Sequence, residues 1–473
     1  VPQGGVNVDQ AFKQQLGKIL GEANILTNKV DLLTYSYDAT PDLNNQWPDI
    51  VVLPTTTAQI QEIVRLAGEA KQSIYSRGAG TNLSGGTIPV NGGIVVSLQK
   101  MNKIIEIDRE NLSATVQPGV IVQELNDAVA PYGLIYPPDP GTVATATMGG
   151  TVAECAGGLR ALKYGVTKHY VMGMEVVLAG GESFRFGGKT VKNVTGYDFA
   201  SLFVGSEGTL GIITEITVKL IPAPKYRRTM MATFRKLENA GNAVTCIIMA
   251  YVIPATLELM DQVTIQAVEN YAKAGLPGDA AGLLLIELDG MGRDVVEAEA
   301  ETIMKIVREK GGEIRLAGSD AERDQLWAAR RAALPALARV RPTIILEDAT
   351  VPRNKIAEML GAIQKIAARY NVPIGTFGHA GDGNLHPTLL TDARDQEEME
   401  RVHKAIDDIF SVALKLGGTL SGEHGIGMAK MKYLQNELGQ SGLEVIRRIK
   451  ESLDPEYLFN PGKMNPLKKI RRL

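Results

Sequence analysis

Hydrophobic and polar positions follow two different patterns along the chain. Short runs rich in Ile and Val predict β-strands from residue 50 onward. They cover residues 50–53, 74–76, 94–98, 104–108 and 114–117. Apolar residues recur every three or four positions over residues 57–70, which predicts an amphipathic helix, and residues 1 to about 45 are polar with a helical pattern. A last strand is predicted over 211–221, and Pro222 and Pro224 after it indicate a domain boundary.

The pattern beyond Pro224 is different. Residues 294–310 and 396–416 carry apolar side chains at helical spacing, and strands are predicted at 282–288, 343–347 and 372–377. This arrangement predicts a second, α+β domain whose helices pack on one face of a mostly antiparallel sheet. We therefore expect three parts. They are residues 1–224, residues 225–453, and a Pro- and Asn-rich segment, 454–473, which lies as an ordered loop and returns to the first domain.

Composition narrows the possible classes of protein. The chain has 473 residues, 44% hydrophobic and 22% charged, with a formal net charge of −3, which is ordinary for a soluble globular protein and gives no bulk attraction to nucleic acid. No stretch approaches the roughly 20 apolar residues of a membrane span, and no signal-peptide core is present near the start. The basic run at residues 468–472 is more typical of a solvated tail than of a contact with an anionic surface.

Cysteine usage limits the redox chemistry. The two cysteines, Cys155 and Cys246, are too few for a disulfide framework and indicate a reducing compartment. Because no Cys-x-x-Cys occurs, the chain is not expected to hold an iron–sulfur cluster by itself. We predict a cytoplasmic location, with peripheral attachment to a membrane left open.

Glycine-rich loops are concentrated in the first half. Arg77-Gly-Ala-Gly-Thr-Asn-Leu-Ser-Gly85 follows a predicted strand, and glycines there allow backbone N–H groups to converge on phosphate oxygens. It is not the Rossmann fingerprint, because position 83 is leucine where that motif needs its third glycine. Gly187-Gly-Lys-Thr190 is likewise no P-loop, because position 183 is serine. Alone, each loop is more typical of a structural turn than of a cofactor site.

Further glycine-containing segments follow in a fixed order and change this interpretation. They are Pro137-Pro-Asp-Pro-Gly-Thr142, Met148-Gly-Gly-Thr-Val-Ala-Glu-Cys-Ala-Gly-Gly158, Lys163-Tyr-Gly165, Lys192-Asn-Val-Thr-Gly-Tyr-Asp198 and Gly205-Ser-Glu-Gly-Thr-Leu-Gly211. Together with the first loop they resemble the two-part FAD-binding domain of the vanillyl-alcohol-oxidase flavoproteins, over roughly residues 45 to 225. The resemblance implies that the first loop cradles the pyrophosphate, that the next two segments pass along the flavin, and that the last supports the adenine end.

The resemblance assigns a set of positions to FAD. They are Pro54, Arg77, Gly78, Ala79, Gly80, Thr81, Asn82, Ser84, Asp139, Thr142, Gly149, Gly150, Thr151, Glu154, Gly158, Glu207, Gly208, Ile213 and Asn460. Many members of that family tether FAD covalently through a histidine near the first loop. The only histidine before residue 379 here is His169, so we expect tightly bound, non-covalent FAD.

Histidines of the second half lie in glycine-rich segments. Gly378-His-Ala-Gly-Asp-Gly-Asn-Leu-His-Pro387 places two histidines seven positions apart, and its glycines argue against a helix. A strand–turn–strand is expected, with His379 leaving one strand and His386 entering the next. Ser421-Gly-Glu-His-Gly-Ile-Gly427 adds a Glu–His pair. Two imidazoles and a carboxylate leave open coordination positions, as in a catalytic metal site; the alternative is a set of hydrogen-bonded core histidines. His403 lies on the polar face of a predicted helix and receives no role.

These segments look like the C-terminal domain of the group that includes the glycolate oxidase FAD subunit, D-lactate dehydrogenase and D-2-hydroxyglutarate dehydrogenase. The resemblance implies an α+β substrate (cap) domain and a divalent metal, zinc, iron or manganese, held by His379, His386 and Glu423. It further implies His424 as catalytic base and Asn384 near the substrate. Trp327-Ala-Ala-Arg330 fits the group's arginine for the substrate carboxylate.

One departure from the group bears on the substrate. The 2-hydroxyglutarate enzymes carry a lysine for the distal carboxylate, whereas this chain reads Ile344-Ile-Leu-Glu-Asp348 in that region. A monocarboxylate is therefore favoured over a dicarboxylate.

The resemblance thus implies FAD-dependent oxidation of a small 2-hydroxy acid, D-lactate or glycolate. Because cluster ligands are missing, we expect a separate electron acceptor, which is an iron–sulfur subunit, an electron-transferring flavoprotein or a quinone, and hence an oligomer or a subunit of a complex. The mechanism requires the metal to lie against the flavin ring. The alternatives are oxidation of a different hydroxy acid or alcohol, a non-catalytic flavoprotein that only relays electrons, and metal-assisted hydrolysis, which would leave the FAD loops unexplained.

Overall fold

The computed structural model describes residues 10–41, 43 and 46–464. Its α-helices, in chain order, are α1 Gln10–Leu20, α2 Lys29–Thr34, α3 Thr57–Glu69, α4 Val122–Val129, α5 Met148–Glu154, α6 Ala161–Tyr164, α7 Phe199–Phe203, α8 Leu237–Met249, α9 Gln262–Ala272, α10 Arg293–Glu309, α11 Asp320–Arg331, α12 Ala333–Leu337, α13 Ile356–Tyr370, α14 Gln396–Lys415 and α15 Leu434–Leu453, with a break in α15 at Gly439. The basic run at 468–472 lies outside the described residues.

The β-strands are short in the first half and longer in the second. In chain order they are β1 Ile25–Leu26, β2 Ile50–Val52, β3 Ile74–Arg77, β4 Ile94–Ser97, β5 Ile104–Asp108, β6 Ser113–Val116, β7 Leu134–Ile135, β8 Val171–Val177, β9 Ser183–Gly187, β10 Ile212–Lys219, β11 Ile221–Pro222, β12 Tyr226–Phe234, β13 Thr256–Asp261, β14 Gly282–Gly290, β15 Gly312–Leu316, β16 Thr343–Leu346, β17 Ala349–Thr350, β18 Ile374–His379 and β19 Asn384–Thr391. Each strand predicted from the hydrophobic pattern is present, although the one predicted over 211–221 is split into β10 and β11.

Two compact units make up the chain. Unit 1 contains the described residues of Val1–Ala156, Val166–Ala223 and Glu423–Leu473, and unit 2 contains Gly157–Gly165 and Pro224–Gly422. Each unit is therefore assembled from more than one stretch of sequence.

Unit 1 contains three sheets. A four-stranded sheet has the order β1-β2-β4-β3, in which β4 is parallel to both of its neighbours, and a five-stranded antiparallel sheet has the order β5-β6-β10-β8-β9. The third sheet pairs β7 with β11. Thr56 is the N-cap of helix α3, and its side chain accepts a hydrogen bond from the Gln59 N–H. The helix packs Ile60 and Ile63 into the core of this unit.

The C-terminal segment of unit 1 adds to the four-stranded sheet. Phe459 forms a parallel bridge with Ile74 of β3, and the Ile74 N–H donates to Leu458 O at 2.8 Å. Asp454 accepts hydrogen bonds from the backbone of Leu458 and Phe459, both at 2.8 Å, which fixes the path of the segment.

Unit 2 is built on one antiparallel sheet of eight strands. The order is β15-β12-β14-β13-β18-β19-β16, and β17 also pairs with β19. The predicted mostly antiparallel sheet is confirmed.

Helices cover both faces of this sheet, so the expectation of helices on one face is wrong. Leu283 and Leu285 of β14 share a core with Ile265 of α9 and Leu337 of α12. The neighbouring Gly282 lies on the opposite face, where an added Cβ would meet Leu237 and Ala240 of α8. The physical reason is readable in the sequence, because a continuous apolar run such as residues 283–286 is typical of a strand buried on both sides.

None of the helices within the described residues is long and apolar enough to cross a lipid bilayer. Cys155 and Cys246 are free thiols. The cytoplasmic location stays a prediction.

Candidate functional site

His379 and His386 of unit 2 lie on a β-hairpin, as the strand–turn–strand prediction required. His379 is the last residue of β18 and pairs with Asn384, while His386 of β19 pairs with Phe377. Directly opposed residues of an antiparallel pair project from the same face, so both rings stand on one side of the sheet. Gly378 is needed here, because an added Cβ would collide with the carbonyl oxygen of Asn384.

The two imidazole rings are close together and buried. Their centroids are 5.1 Å apart with an interplanar angle of 88°, and His379 and His386 are 8% and 3% exposed. The Phe377 ring packs against His386 with a centroid distance of 5.5 Å. The Phe377 ring and the two imidazole rings therefore line the same small region.

Glu258 of β13 connects this hairpin to helix α11. Its Oε1 lies 2.8 Å from His379 Nδ1, and its Oε2 lies 2.5 Å from Arg330 Nη2. Burial acts to raise the pKa of Glu258, but the charges of His379 and Arg330 and the hydrogen bonds from them outweigh it and hold the pKa below its ordinary value. The carboxylate is thus an anion at neutral pH.

Arg330 lies in the last turn of α11 and points into the protein. Its side chain is buried, and the guanidinium carbon lies 4.8 Å from the centroid of the Phe377 ring. The buried Nε donates no hydrogen bond to any residue that the structure describes. A planar cation with an unused donor is suited to binding a carboxylate.

Asn384, Asp348 and Ser421 form a second polar group beside the histidines. Asn384 Nδ2 donates to Asp348 Oδ1 at 2.7 Å, and Ser421 Oγ donates to Asp348 Oδ2 at 2.7 Å. Asp348 Oδ1 also lies 3.9 Å from His386 Nδ1. The buried Asn384 Oδ1 accepts no hydrogen bond from the described part of the chain, so it is available to a ligand.

Glu423 and His424 directly follow Gly422, the last residue of unit 2, and belong to unit 1. They lie in an irregular loop whose later residues are held by Glu207. Glu207 Oε1 accepts from the Ile426 N–H at 2.6 Å, and Oε2 accepts from the Gly427 N–H at 2.7 Å. The loop is therefore fixed two residues after His424.

Glu207 belongs to a buried polar group that joins several predicted FAD segments within unit 1. Asn460 Nδ2 donates to the carbonyl oxygens of Gly86, at 2.9 Å, and Glu207, at 2.7 Å. The side-chain amide of Asn82 lies 3.4 Å from Glu154 Oε1. Burial raises the pKa of both glutamates, and the negative charge of Glu207 raises that of Glu154 further.

The first glycine loop packs against the start of α5. An added Cβ on Gly78 would collide with Thr147 Oγ1, and Gly80 has a φ of 70°, so glycine is required at both positions. Arg77 donates to Tyr37 O at 2.8 Å and to Thr87 Oγ1 at 3.1 Å, which uses its side chain to shape the loop.

The other predicted FAD positions lie in unit 1 with one exception. Gly158 belongs to the 157–165 stretch of unit 2. In unit 1 the buried members of the set include Asp139, Thr151 and Ile213, whereas Thr142 is exposed.

Two carboxylates that contact the predicted site residues were not identified from the sequence. They are Glu258 and Asp348, which are buried at 1% and 0% exposure. Glu258 could have been identified from the sequence as a charged residue between apolar residues of strand β13, because a buried charge needs a partner.

Comparison with known proteins identifies the family of the chain. Residues 223–464 match the family profile described as FAD linked oxidases, C-terminal domain, and residues 48–187 match the FAD binding domain family. The chain belongs to the FAD-linked oxidases. It is therefore an FAD-dependent oxidoreductase, as the sequence motifs predicted.

Relatives of this FAD-linked oxidase span nearly its whole length. Glycolate oxidase subunit GlcD of Bacillus subtilis is 50% identical over 458 residues, covering 97% of this chain and 97% of the relative. Glycolate oxidase subunit GlcD of Escherichia coli K12 is 38% identical over 93% of this chain and 88% of the relative. A D-lactate dehydrogenase of Anaerostipes hadrus is 39% identical over 88% of this chain and 89% of the relative.

Solved structures establish the fold. p-Cresol methylhydroxylase matches with a TM-score of 0.81 at 20% identity, covering 99% of this chain and 100% of that chain. A 4-ethylphenol oxidase from Gulosibacter chungangensis matches with a TM-score of 0.80 at 18% identity, covering 98% and 99%. The predicted α+β fold of the vanillyl-alcohol-oxidase type, with a cap domain, is confirmed.

Proposed function

We propose that this FAD-linked oxidase converts a small 2-hydroxy acid, D-lactate or glycolate, into the 2-oxo acid, using non-covalent FAD and a divalent metal. The observation that carries the proposal is the buried group of His379, His386 and Asn384, with Arg330 beside it. Electron relay alone would need neither paired imidazoles nor a carboxylate-binding arginine. The names of the relatives, glycolate oxidase subunit and D-lactate dehydrogenase, support the same class of substrate.

The proposed metal ligands are His379, His386 and Glu423. Two buried imidazoles 5.1 Å apart suit zinc, iron or manganese, and a third ligand from a carboxylate would leave open positions. Ser421 is anchored to Asp348, so the chain reaches Glu423 from a fixed point. The unused Asn384 Oδ1 supports a polar ligand beside the histidines.

When bound, FAD supplies the hydride acceptor and the metal supplies a Lewis acid that acidifies the substrate hydroxyl. Arg330 binds the substrate carboxylate and fixes its orientation. Asn384 lies beside the substrate and presents its unused Oδ1 to the site. His424 accepts the hydroxyl proton, because a neutral imidazole with an ordinary pKa of about 6.5 is a competent base at physiological pH.

The charges near the histidines favour a substrate with one carboxylate. Asp348 is fully buried and lies 3.9 Å from His386, so a second carboxylate nearby would be repelled. This agrees with the missing lysine in residues 344–348 and makes a dicarboxylate such as 2-hydroxyglutarate the less favoured substrate.

Reduced flavin must pass its electrons to a separate acceptor. We propose an iron–sulfur subunit, an electron-transferring flavoprotein or a quinone, because the chain lacks Cys-x-x-Cys. The relatives named as subunits of glycolate oxidase support membership of a complex.

The test is whether a hydroxy acid bleaches the flavin absorbance of the purified protein under anaerobic conditions. A panel of glycolate, both enantiomers of lactate and both enantiomers of 2-hydroxyglutarate is added without any partner protein. The proposal predicts fast bleaching by glycolate or D-lactate. Absence of bleaching by every hydroxy acid would favour the electron-relay alternative, and bleaching by 2-hydroxyglutarate alone would overturn the monocarboxylate assignment. A flavin absorbance that stays in the acid-precipitated pellet would contradict non-covalent binding.

A further inference from the structure

We infer that Glu258 is a positioning residue that aligns the proposed metal ligand His379 and the proposed substrate-binding Arg330 at the same time. The inference rests on the proposed function and names a residue that the motifs did not contain. Glu258 is 1% exposed, and each carboxylate oxygen faces a different partner.

The contact with His379 decides which ring nitrogen is available. An ionised carboxylate only accepts hydrogen bonds, so His379 Nδ1, 2.8 Å from Glu258 Oε1, carries the hydrogen. The lone pair is then on Nε2, which can bind a metal. Histidines that bind metals usually donate their other N–H to such an acceptor, which orients the ring and increases its basicity.

The contact with Arg330 fixes the second group. One end of the guanidinium is held by Glu258 Oε2 at 2.5 Å, and its face lies over Phe377 at 4.8 Å. These two contacts set the plane of the cation before substrate arrives. The buried Nε, which donates to no described residue, stays available to the substrate carboxylate.

A purely structural role explains the arrangement less well. Replacing a buried ion pair by apolar residues is often neutral or stabilising. A gain in folding stability therefore does not explain why Glu258 and Arg330 are charged. From strand β13, the carboxylate instead contacts a hairpin and a helix that each carry a proposed site residue.

The test compares Glu258→Gln with a matched control, Glu287→Gln. Glu287 is buried on the neighbouring strand β14 and accepts hydrogen bonds from Trp327 Nε1 at 2.9 Å and Thr229 Oγ1 at 3.0 Å, so these bonds hold neither His379 nor Arg330. Metal affinity is measured by competition with a chromophoric chelator, and flavin content, KM and the rate constant of flavin reduction are measured on the same preparations.

We expect Glu258→Gln to raise the metal dissociation constant about 10- to 100-fold and to raise KM, while flavin content and the control stay within about twofold of wild type. Equal metal affinity in Glu258→Gln and wild type would overturn the inference, as would an equal loss in Glu287→Gln. If the single variant does not fold because Arg330 is left unpaired, Glu258→Gln combined with Arg330→Gln removes both charges, and the same loss of metal affinity is expected. A wild-type protein that binds no metal would instead refute the proposed function.

Discussion

Glu207 accepts a hydrogen bond of 2.6 Å from the backbone N–H of Ile426, although 219 positions separate the two residues in the sequence. Its second carboxylate oxygen accepts from Gly427 at 2.7 Å. The side chain assigned to FAD by family resemblance therefore has both oxygens engaged by the loop that follows His424. We therefore propose that Glu207 contributes to the chemistry through the position of that loop.

Glu207→Gln should lower the rate constant of flavin reduction by roughly tenfold while FAD stays bound. The glutamine amide can accept only one of the two N–H groups and presents its own N–H to the other, and a lost hydrogen bond to a charged group costs about 1.5–3 kcal/mol. Anaerobic stopped-flow absorbance measures the rate constant. Glu215→Gln, on the exposed pair with Arg185 of the same unit, is the control. Equal rates in the two variants would contradict the assignment.

His424→Ala should lower the rate constant of flavin reduction by about 10²- to 10⁴-fold, because the proposed general base is removed. His403→Ala is the matched control, since His403 is exposed on α14 and outside the proposed machinery. Steady-state turnover and the flavin spectrum of both variants check the prediction. Normal turnover in His424→Ala would show that another group takes the proton.

Arg330→Lys should raise KM about 10- to 100-fold with a smaller effect on the rate constant at saturation. Lysine keeps the charge but loses the planar fork that binds a carboxylate through two hydrogen bonds. Arg331→Lys, at the next position of α11 and exposed, is the control. The two parameters are separated by varying substrate concentration, and an unchanged KM would remove Arg330 from the substrate site.

The parts of the site that sequence could predict are those that local glycine patterns specify. The hairpin of His379 and His386 follows from Gly378 and Gly383, where a side chain would collide with Asn384 or Val351. The coverage of both faces of the unit 2 sheet by helices is also encoded locally, because the continuous apolar run of β14 is typical of a strand buried on both sides.

The parts that sequence could not predict depend on long-range register. Glu258 meets His379 because β13 pairs with β18, and the two residues are 121 positions apart. No local spacing encodes which strands become neighbours, so the partner of a buried charge is visible only once the sheet is formed. The Glu207 contact with the 426–427 backbone has the same origin.

Asp261 should make stability depend on pH in an unusual direction. Burial raises its pKa from 3.8 to about 6, although it accepts hydrogen bonds from the Thr264 and Thr376 N–H groups. Because the folded protein holds this proton more tightly than the unfolded chain, the contribution of Asp261 is most favourable below about pH 4 and is lost as pH rises through about 6.

Asp261→Asn removes this titration, so wild type minus variant isolates it. The difference in the free energy of unfolding should fall by about 2–3 kcal/mol between pH 4 and pH 7.5. Urea unfolding of both proteins at several pH values measures it. A difference that stays constant over that range would mean that Asp261 keeps its ordinary pKa.

The most direct test of the central claim is anaerobic flavin reduction by glycolate and D-lactate before and after removal of metal by a chelator. The account predicts at least a 100-fold slower reduction in the stripped protein at unchanged FAD content, with the rate restored by zinc, iron or manganese but not in His386→Ala. Flavin reduction at an undiminished rate in the metal-free protein would contradict it.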